Sequence, residues 1–417
     1  MDDHASTAKS NRPALSLHVP EPPARPGEAN DFSALVIPEA GETRRPDVWD
    51  AEPTMRDLPY KLIRVLDEKG RAVGSWDPRL DPETLRAGLR AMLKTRLFDE
   101  RMFRAHRQGK TSFYMKSLGE EAIGAAQSMV MGAEDMCFPT YRMLAWLMAR
   151  DYPLIDLCNQ IFSNEGDPLR GRQLPILYSA RDYGFYSLSG NVGSRYGHAV
   201  GWAMASAYKG DDRIAIGHVG EGTTAEGDFH EALTFAAIYK APVILCVTNN
   251  QWAISSFSGI AGAELTTFAA RAIAYGLPGL RVDGNDFLAV TAATEWAADR
   301  ARANLGATLI ELYTYRVAGH STSDDPTRYR PEDEAGNWPL GDPIERLKAH
   351  LIAMGEWSDE RHEALAAELT ADIKSAAKQA EAVGTLGQSK PNPREMFEDV
   401  FAEPDWRIVE QRREAGV

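Results

Sequence analysis

Apolar and polar positions follow two rhythms along this chain. Between positions 82 and 108, Leu85, Leu89, Met92, Leu93 and Leu97 recur at intervals that mark one face of an α-helix. Asp81-Pro82 supplies the start signal, a capping side chain before a proline at the first helical position. Charged residues inside this stretch, such as Asp99 and Arg101, are expected on its solvated face. Helical spacing returns at 119–131, in the small residues of 199–208, at 226–239 through Phe229, Ala232, Leu233, Ala236 and Ala237, and from Ala289. Near the end, Asp342-Pro343 and Ser358 read as caps of two more helices. The second rhythm is a short apolar run bounded by charge or turns. Runs at 213–219, 241–247, 280–283 and 308–313 read as buried strands. Strands alternating with helices predict an α/β fold, a parallel sheet flanked by helices.

Outside that alternation the pattern changes. Residues 1–78 predict an extended arm, with Pro20, Pro22, Pro23 and Pro26 close together, and then a small hairpin near 60–76. Residues 79–335 form the α/β domain. Residues 336–417 form a helical C-terminal segment whose tail carries Met396-Phe397, Val400-Phe401 and Trp406, apolar surface suited to docking. A Pro391-Asn392-Pro393 turn separates the last long helix from that tail.

Composition narrows the function classes. With 46 Lys plus Arg against 60 Asp plus Glu, the net charge of −14 argues against nucleic-acid or anionic-membrane binding. No apolar run approaches the ~20 residues of a membrane helix. Cys137, Cys158 and Cys246 have neither disulfide nor metal spacing, which suits a reducing compartment. The start Met1-Asp2-Asp3-His4 lacks the regions of a secretory signal and is too acidic for a transit peptide, so a bacterial-type cytoplasmic protein is expected.

The chemistry centres on the ends of two predicted strands. Gly220-Glu221-Gly222-Thr223 follows the first, and Thr248-Asn249-Asn250-Gln251-Trp252 follows the second about thirty positions later. Gly220 and Gly222 let backbone N–H groups approach an anion, and the next helix turns its positive end toward it. In a parallel sheet these strand ends share one edge, where ligands bind. Glu221, an amide oxygen of Asn249 or Asn250, a loop carbonyl and two diphosphate oxygens would make a hard oxygen shell suited to Mg²⁺. Alone, Gly-Glu-Gly is a weak signal and reads more readily as a strand-to-helix turn. The paired asparagines at the second strand end favour the cofactor reading. By the residues alone, Phe113-Tyr114 reads as packing or pocket lining, Tyr141-Arg142 as a helix start or an anion grip, and His320 as a surface loop residue or one that reaches the same edge.

The Gly-Glu-Gly segment with Asn-Asn-x-aromatic-Ala-Ile-Ser resembles the thiamine diphosphate motif of the alpha subunit of the branched-chain 2-oxo acid dehydrogenase decarboxylase component. The likeness covers about residues 80–330. Gly171-Arg172-Gln173-Leu174-Pro175-Ile176 also resembles a segment of the branched-chain subfamily, where pyruvate-directed relatives carry a different one. The resemblance implies a thiamine diphosphate-binding fold and an Mg²⁺ held by Glu221, Asn250 and the backbone carbonyl of Trp252. It implies diphosphate contacts from Tyr141, Arg142, Gly220, Gly222, Thr223 and His320, and backbone contacts from Gly190 and Val192 to the aminopyrimidine. His320 would also be catalytic, near the site of acyl transfer to a lipoyl group, and Ser321 matches a residue phosphorylated in mitochondrial relatives.

The implied activity is oxidative decarboxylation of branched-chain 2-oxo acids, a small-molecule substrate. The partners are a beta subunit in an alpha-2 beta-2 heterotetramer and the lipoyl acyltransferase core. The beta subunit would supply the glutamate that activates the cofactor, so the isolated chain should be inactive. Two departures stand out. Asn191, Ser194 and Arg195 replace residues that surround a potassium ion in relatives, so none is predicted. Thr248 replaces an arginine, leaving more of the diphosphate to Arg142 and His320. Within the class, a pyruvate or acetoin enzyme is the alternative. A nicotinamide oxidoreductase lacks its G-x-G-x-x-G order here, and a non-catalytic scaffold subunit should have lost the metal ligands, which are present.

Overall fold

The computed structural model describes residues 16–388, 392–398 and 401–417. The starting Met1-Asp2-Asp3-His4, Pro391 of the turn and Val400 of the tail lie outside the described residues. Five strands form one sheet: β1 (Met136–Phe138), β2 (Ala215–Gly220), β3 (Val243–Asn249), β6 (Gly279–Asp283) and β7 (Thr308–Tyr313). Their order is β1-β2-β3-β7-β6, and every pair is parallel. Two short strands, β4 (Trp252–Ala253) and β5 (Ser256–Phe257), make a separate antiparallel hairpin. All residues of β3 and β7 are buried, which is why both read as largely apolar runs, interrupted in β7 by Glu311.

Helices cover both faces. The first group is α1 (Pro82–Arg107), α2 (Glu121–Val130), α3 (Leu144–Ala149) and α4 (Leu154–Phe162). Then come α5 (Ser194–Lys209), α6 (Gly227–Ile238) and α7 (Phe287–Arg302), and near the end α8 (Pro343–Ala353), α9 (Asp359–Val383) and α10 (Trp406–Glu414). The strand period of two divides the core. Ile216, Ile244, Cys246, Ile310 and Leu312 pack with α1–α4 and α7–α9. Ala215, Val219, Val243, Leu245 and Leu309 pack with α5 and α6 on the opposite face. The caps form as side-chain geometry demands: Asp81 accepts from the N–H groups of Glu83 and Thr84, Asp342 from Ile344 and Glu345, and Ser358 from Arg361.

Among the described residues, the arm between 16 and 50 has no helix or strand. It lies against the body, with Phe32 edge-on to Trp338 and Tyr315 at 5.5 and 6.5 Å. The indole of Trp296 donates to Pro46 O at 3.0 Å. After the arm, Ile63 bridges Val282 in parallel and so covers the open edge of β6. Leu66 and Ala72 bridge antiparallel where the hairpin was expected. In the tail, Met396, Phe401 and Trp406 are exposed. No helix among the described residues is long and apolar enough to cross a membrane.

One expectation fails at Asp99. It is buried, 1% exposed, and not on a solvated face. Seven positions beyond Met92 and three before Met102, it falls on the inner stripe of α1, where its carboxylate accepts from Tyr114 Oη at 2.7 Å and Ser117 N at 2.5 Å. Arg101 reaches across to Glu381 of α9 at 2.8 Å.

Asp286 ties three elements together. One carboxylate oxygen caps α7 through the N–H groups of Leu288 and Ala289. The other accepts from Val65 N and Leu66 N at 2.9 and 2.7 Å and lies 3.3 Å from Arg346 Nη2 of α8. Replacing Asp286 with Ala orphans these buried donors and leaves Arg346 short of a partner. The variant should lose about 3 kcal/mol of stability, read as a lower midpoint of chemical unfolding; an unchanged midpoint would refute the tie.

Candidate active site

β2 and β3 run side by side with Gly220 opposite Thr248. The chain leaves both strands at the same edge, and the loops there open on a cavity of about 540 Å³. Tyr141, Arg142, Gly190, Val192, Gly220, Glu221, Gly222, Thr223, Asn250, Trp252 and His320 all line it. These residues come from five separate stretches of chain, brought together by the parallel order of the sheet.

The structure separates the two asparagines. Asn249, the last residue of β3, turns its side chain to β7 and donates to Glu311 Oε1 at 2.8 Å. It lines a second cavity of about 220 Å³ under the arm. Asn250 faces the large cavity, with its Nδ2 on Glu120 Oε1 at 2.8 Å and its Oδ1 receiving Trp252 N at 3.3 Å.

Glu221 stands beside it, 1% exposed, and its Oε1 has no hydrogen-bond partner. Burial pushes its carboxyl up to about 7, and the neighbouring Glu120 adds to the rise. An ionised carboxylate is costly in such a place without a compensating charge. The fit to a hard cation therefore rests on this orphaned oxygen, with Asn250 Oδ1 close by. The third oxygen, Trp252 O, accepts from Arg316 Nη1 at 2.7 Å and keeps its second lone pair.

The surroundings are rich in buried guanidinium groups. Arg142 donates to Lys116 O and to His320 O, the latter at 2.7 Å, and its Nε lies 3.6 Å from Glu120 Oε1. Arg195 donates to Ser189 O at 2.8 Å, and its Nε is unpartnered. Ser194 Oγ donates to Asn191 O at 2.8 Å, so side chains of the chain itself hold the 189–194 loop. Arg316 spans the β4–β5 hairpin, bonding Trp252 O, Ile254 O and Tyr329 Oη. Arg195, Arg316 and Glu120 line the cavity too, though no sequence motif marked the last two. Their only signal is position: Arg316 lies just beyond β7 and Glu120 just before α2.

Burial, reinforced by Arg142 and Arg316, lowers the His320 pKa to about 4, so the ring is neutral near pH 7. Arg142 Nη2 lies 3.4 Å from Nδ1, which must then accept, and this leaves Nε2 carrying the proton. His320 N donates to Asp324 at 2.6 Å, and the ring meets Tyr141 edge-on at 5.8 Å.

Glycines give the close approach that an anion needs. A Cβ on Gly222 would sit 2.5 Å from that of Ala253, whereas one on Gly220 would meet nothing within 4 Å. Helix α6 begins at Gly227 with no side-chain cap, so its first N–H groups are free of side-chain acceptors. The 171–176 segment does not reach the cavity. Gln173 Nε2 braces Leu188 O at 3.3 Å, behind the 189–194 loop.

Comparison with known proteins agrees with this geometry. Residues 89–389 match the family model described as dehydrogenase E1 component. Residues 13–54 match the 2-oxoisovalerate dehydrogenase E1 alpha subunit N terminal. The chain is 58% identical to the 2-oxoisovalerate dehydrogenase subunit alpha of Pseudomonas aeruginosa, covering 97% of this chain and 98% of that one. It is 37% identical to the mitochondrial 2-oxoisovalerate dehydrogenase subunit alpha of Mus musculus, over 84% of this chain and 78% of the relative. Against the mitochondrial subunit alpha 2 of Arabidopsis thaliana it is 35% identical over 92% and 80%. The chain therefore belongs to the dehydrogenase E1 component family, a thiamine diphosphate-dependent family of oxidoreductases, on its 2-oxoisovalerate dehydrogenase alpha-subunit branch.

Proposed function

We propose that the cavity holds Mg²⁺ and thiamine diphosphate, and that the chain is the alpha subunit of an enzyme for oxidative decarboxylation of branched-chain 2-oxo acids, with acyl transfer to a lipoyl group. The observation that carries the cation is the orphaned, buried oxygen of Glu221. Glu221, Asn250 Oδ1 and Trp252 O hold the cation. Backbone N–H groups of Gly220, Gly222 and Thr223, with Tyr141, Arg142 and His320, hold the diphosphate, and Gly190 and Val192 meet the aminopyrimidine through their backbone. When bound, the cofactor supplies the electron sink that a 2-oxo acid needs to lose carbon dioxide.

The chain's own residues set the conditions for that chemistry. Arg142 and Arg316 bring positive charge against the diphosphate in a buried, low-dielectric site. Neutral His320 offers the Nε2 proton as a hydrogen-bond donor beside the reacting centre, its catalytic role. Glu120 is committed to Asn250 and Arg142, and Glu221 to the cation. By the family resemblance, the carboxylate that acts on the cofactor ring is assigned to a beta subunit, in an alpha-2 beta-2 assembly that delivers acyl groups to a lipoyl acyltransferase. Exposed Tyr208, Phe235, Ile238 and Tyr239, on α5, α6 and the turn after it, support such a partner. The free, buried cysteines support a cytoplasmic location. The retained Glu221 and Asn250 count against the scaffold alternative.

Calorimetry on the chain co-purified with its beta partner tests the site. Wild type should bind thiamine diphosphate only with Mg²⁺ and release it to a chelator. Glu221→Gln should weaken binding by about a hundredfold or more. Metal-independent binding, or a variant that binds as wild type does, would remove the assignment.

Turnover tests substrate and assembly. The isolated chain should not turn over 2-oxo acids, and the complex should. Its kcat/KM for 3-methyl-2-oxobutanoate should exceed that for pyruvate by at least about tenfold, the scale of discrimination an apolar pocket gives. A preference for pyruvate would move the enzyme to the pyruvate or acetoin class.

A further inference from the structure

Asp99 sits in the middle of α1, does not line the cavity, and has no place in the assignment above. A lone carboxylate on the inner stripe of a helix needs a reason, because an apolar residue would pack there at lower cost. Its two oxygens grip one short segment. Oδ1 takes the phenol of Tyr114 at 2.7 Å, and Oδ2 takes the N–H of Ser117 at 2.5 Å.

That segment holds two site residues. Tyr114 and Thr322 exchange hydrogen bonds: Thr322 N donates to Tyr114 O at 2.9 Å, and Tyr114 N donates to Thr322 Oγ1 at 3.1 Å. Thr322 is two residues from His320. Between Tyr114 and Ser117, Lys116 O receives the guanidinium of Arg142. Just beyond, Leu118 O receives Val317 N at 3.2 Å, at the start of the His320 loop. The 114–118 segment is thus a splint, with α1 on one side and Arg142 and the His320 loop on the other. Asp99 is what fixes it to the helix.

We propose that Asp99 is a positioning residue for the active site, setting Arg142 and His320 through the Tyr114–Ser117 splint. The inference rests on the cofactor reading of the cavity. It predicts that loosening the splint weakens diphosphate binding without touching a cofactor ligand.

The test uses the complex with the beta partner. Asp99→Asn keeps the size of the side chain but gives up one acceptor oxygen. Its dissociation constant for thiamine diphosphate with Mg²⁺ should rise by about tenfold, the scale of a lost charged hydrogen bond. Turnover at saturating cofactor should fall while KM for the 2-oxo acid stays within about twofold of wild type. Tyr114→Phe should shift both in the same direction by less. The double variant should cost less than the two changes combined, because they break one linkage.

A lower melting point with wild-type cofactor affinity and turnover would mean a purely structural role and would overturn the proposal. If Asp99→Asn fails to assemble, Tyr114→Phe and Thr322→Val test the splint with Asp99 in place, and wild-type behaviour in both overturns it equally. Failure of wild type itself to bind the cofactor would remove the cofactor reading and this inference with it. A binding wild type beside an equally binding Asp99→Asn removes this inference alone.

Discussion

The parallel register between β2 and β3 is the constraint on which the site depends. With Gly220 opposite Thr248, the chain leaves both strands at one level, and Glu221 and Asn250 face each other across the sheet edge. Side chains alternate along a strand, so a slip of one residue would exchange Asn249 for Asn250 at the cavity. Asn249 is held the other way by Glu311 on β7. That bond guards the register from the side opposite the cofactor cavity. The core enforces it too, since Val243, Leu245 and Val247 face α5 and α6 while Ile244 and Cys246 face the other layer.

Charge follows from that geometry. Arg142, Arg195 and Arg316 are all nearly inaccessible, and burial lowers the pKa of the last two. Glu120 and Glu221 are buried beside them, and burial raises both. The two sets relieve each other only in part: Arg142 pairs with Glu120 at 3.6 Å, while Glu221 keeps an oxygen without a partner. A site so arranged suits the ligand proposed above, a cation and a polyanion together. Preorganised charge of this kind costs stability when the chain folds and is compensated when the ligand arrives.

Much of this was legible in the sequence because it rests on local signals. The strand runs, the caps Asp81, Asp342 and Ser358, and the Gly-Glu-Gly and Asn-Asn loops each declare themselves within a few residues. What stayed hidden depends on pairs distant in the chain. β1 is three residues long and carries no period. Asp99 looks solvated until Tyr114 and Ser117 are brought to it. Arg316 reads as one more basic residue after a strand, because its partners Trp252, Ile254 and Tyr329 are set by the fold. Arg195 and Arg316, from other elements, bring guanidinium groups to the same cavity as Thr248, a placement that no local signal declared.

The β4–β5 hairpin shows how such long-range contacts are used. Gln251 and Ile254 both lie in the left-handed backbone region, with φ of 74° and 57°. A β-branched residue there costs about 1–3 kcal/mol and persists only when its surroundings insist on it. The insistence comes from Arg316, which bonds the carbonyls of Trp252 and Ile254 from one guanidinium. The same group reaches Tyr329, whose hydroxyl meets the Asp324 oxygen that holds His320 N. Strain on one wall of the cavity and the placement of a histidine on the other are thus supported by one side chain. The hairpin therefore presents Trp252 O toward the candidate cation not by its own preference but because the strand that ends at Tyr313 delivers an arginine three residues later.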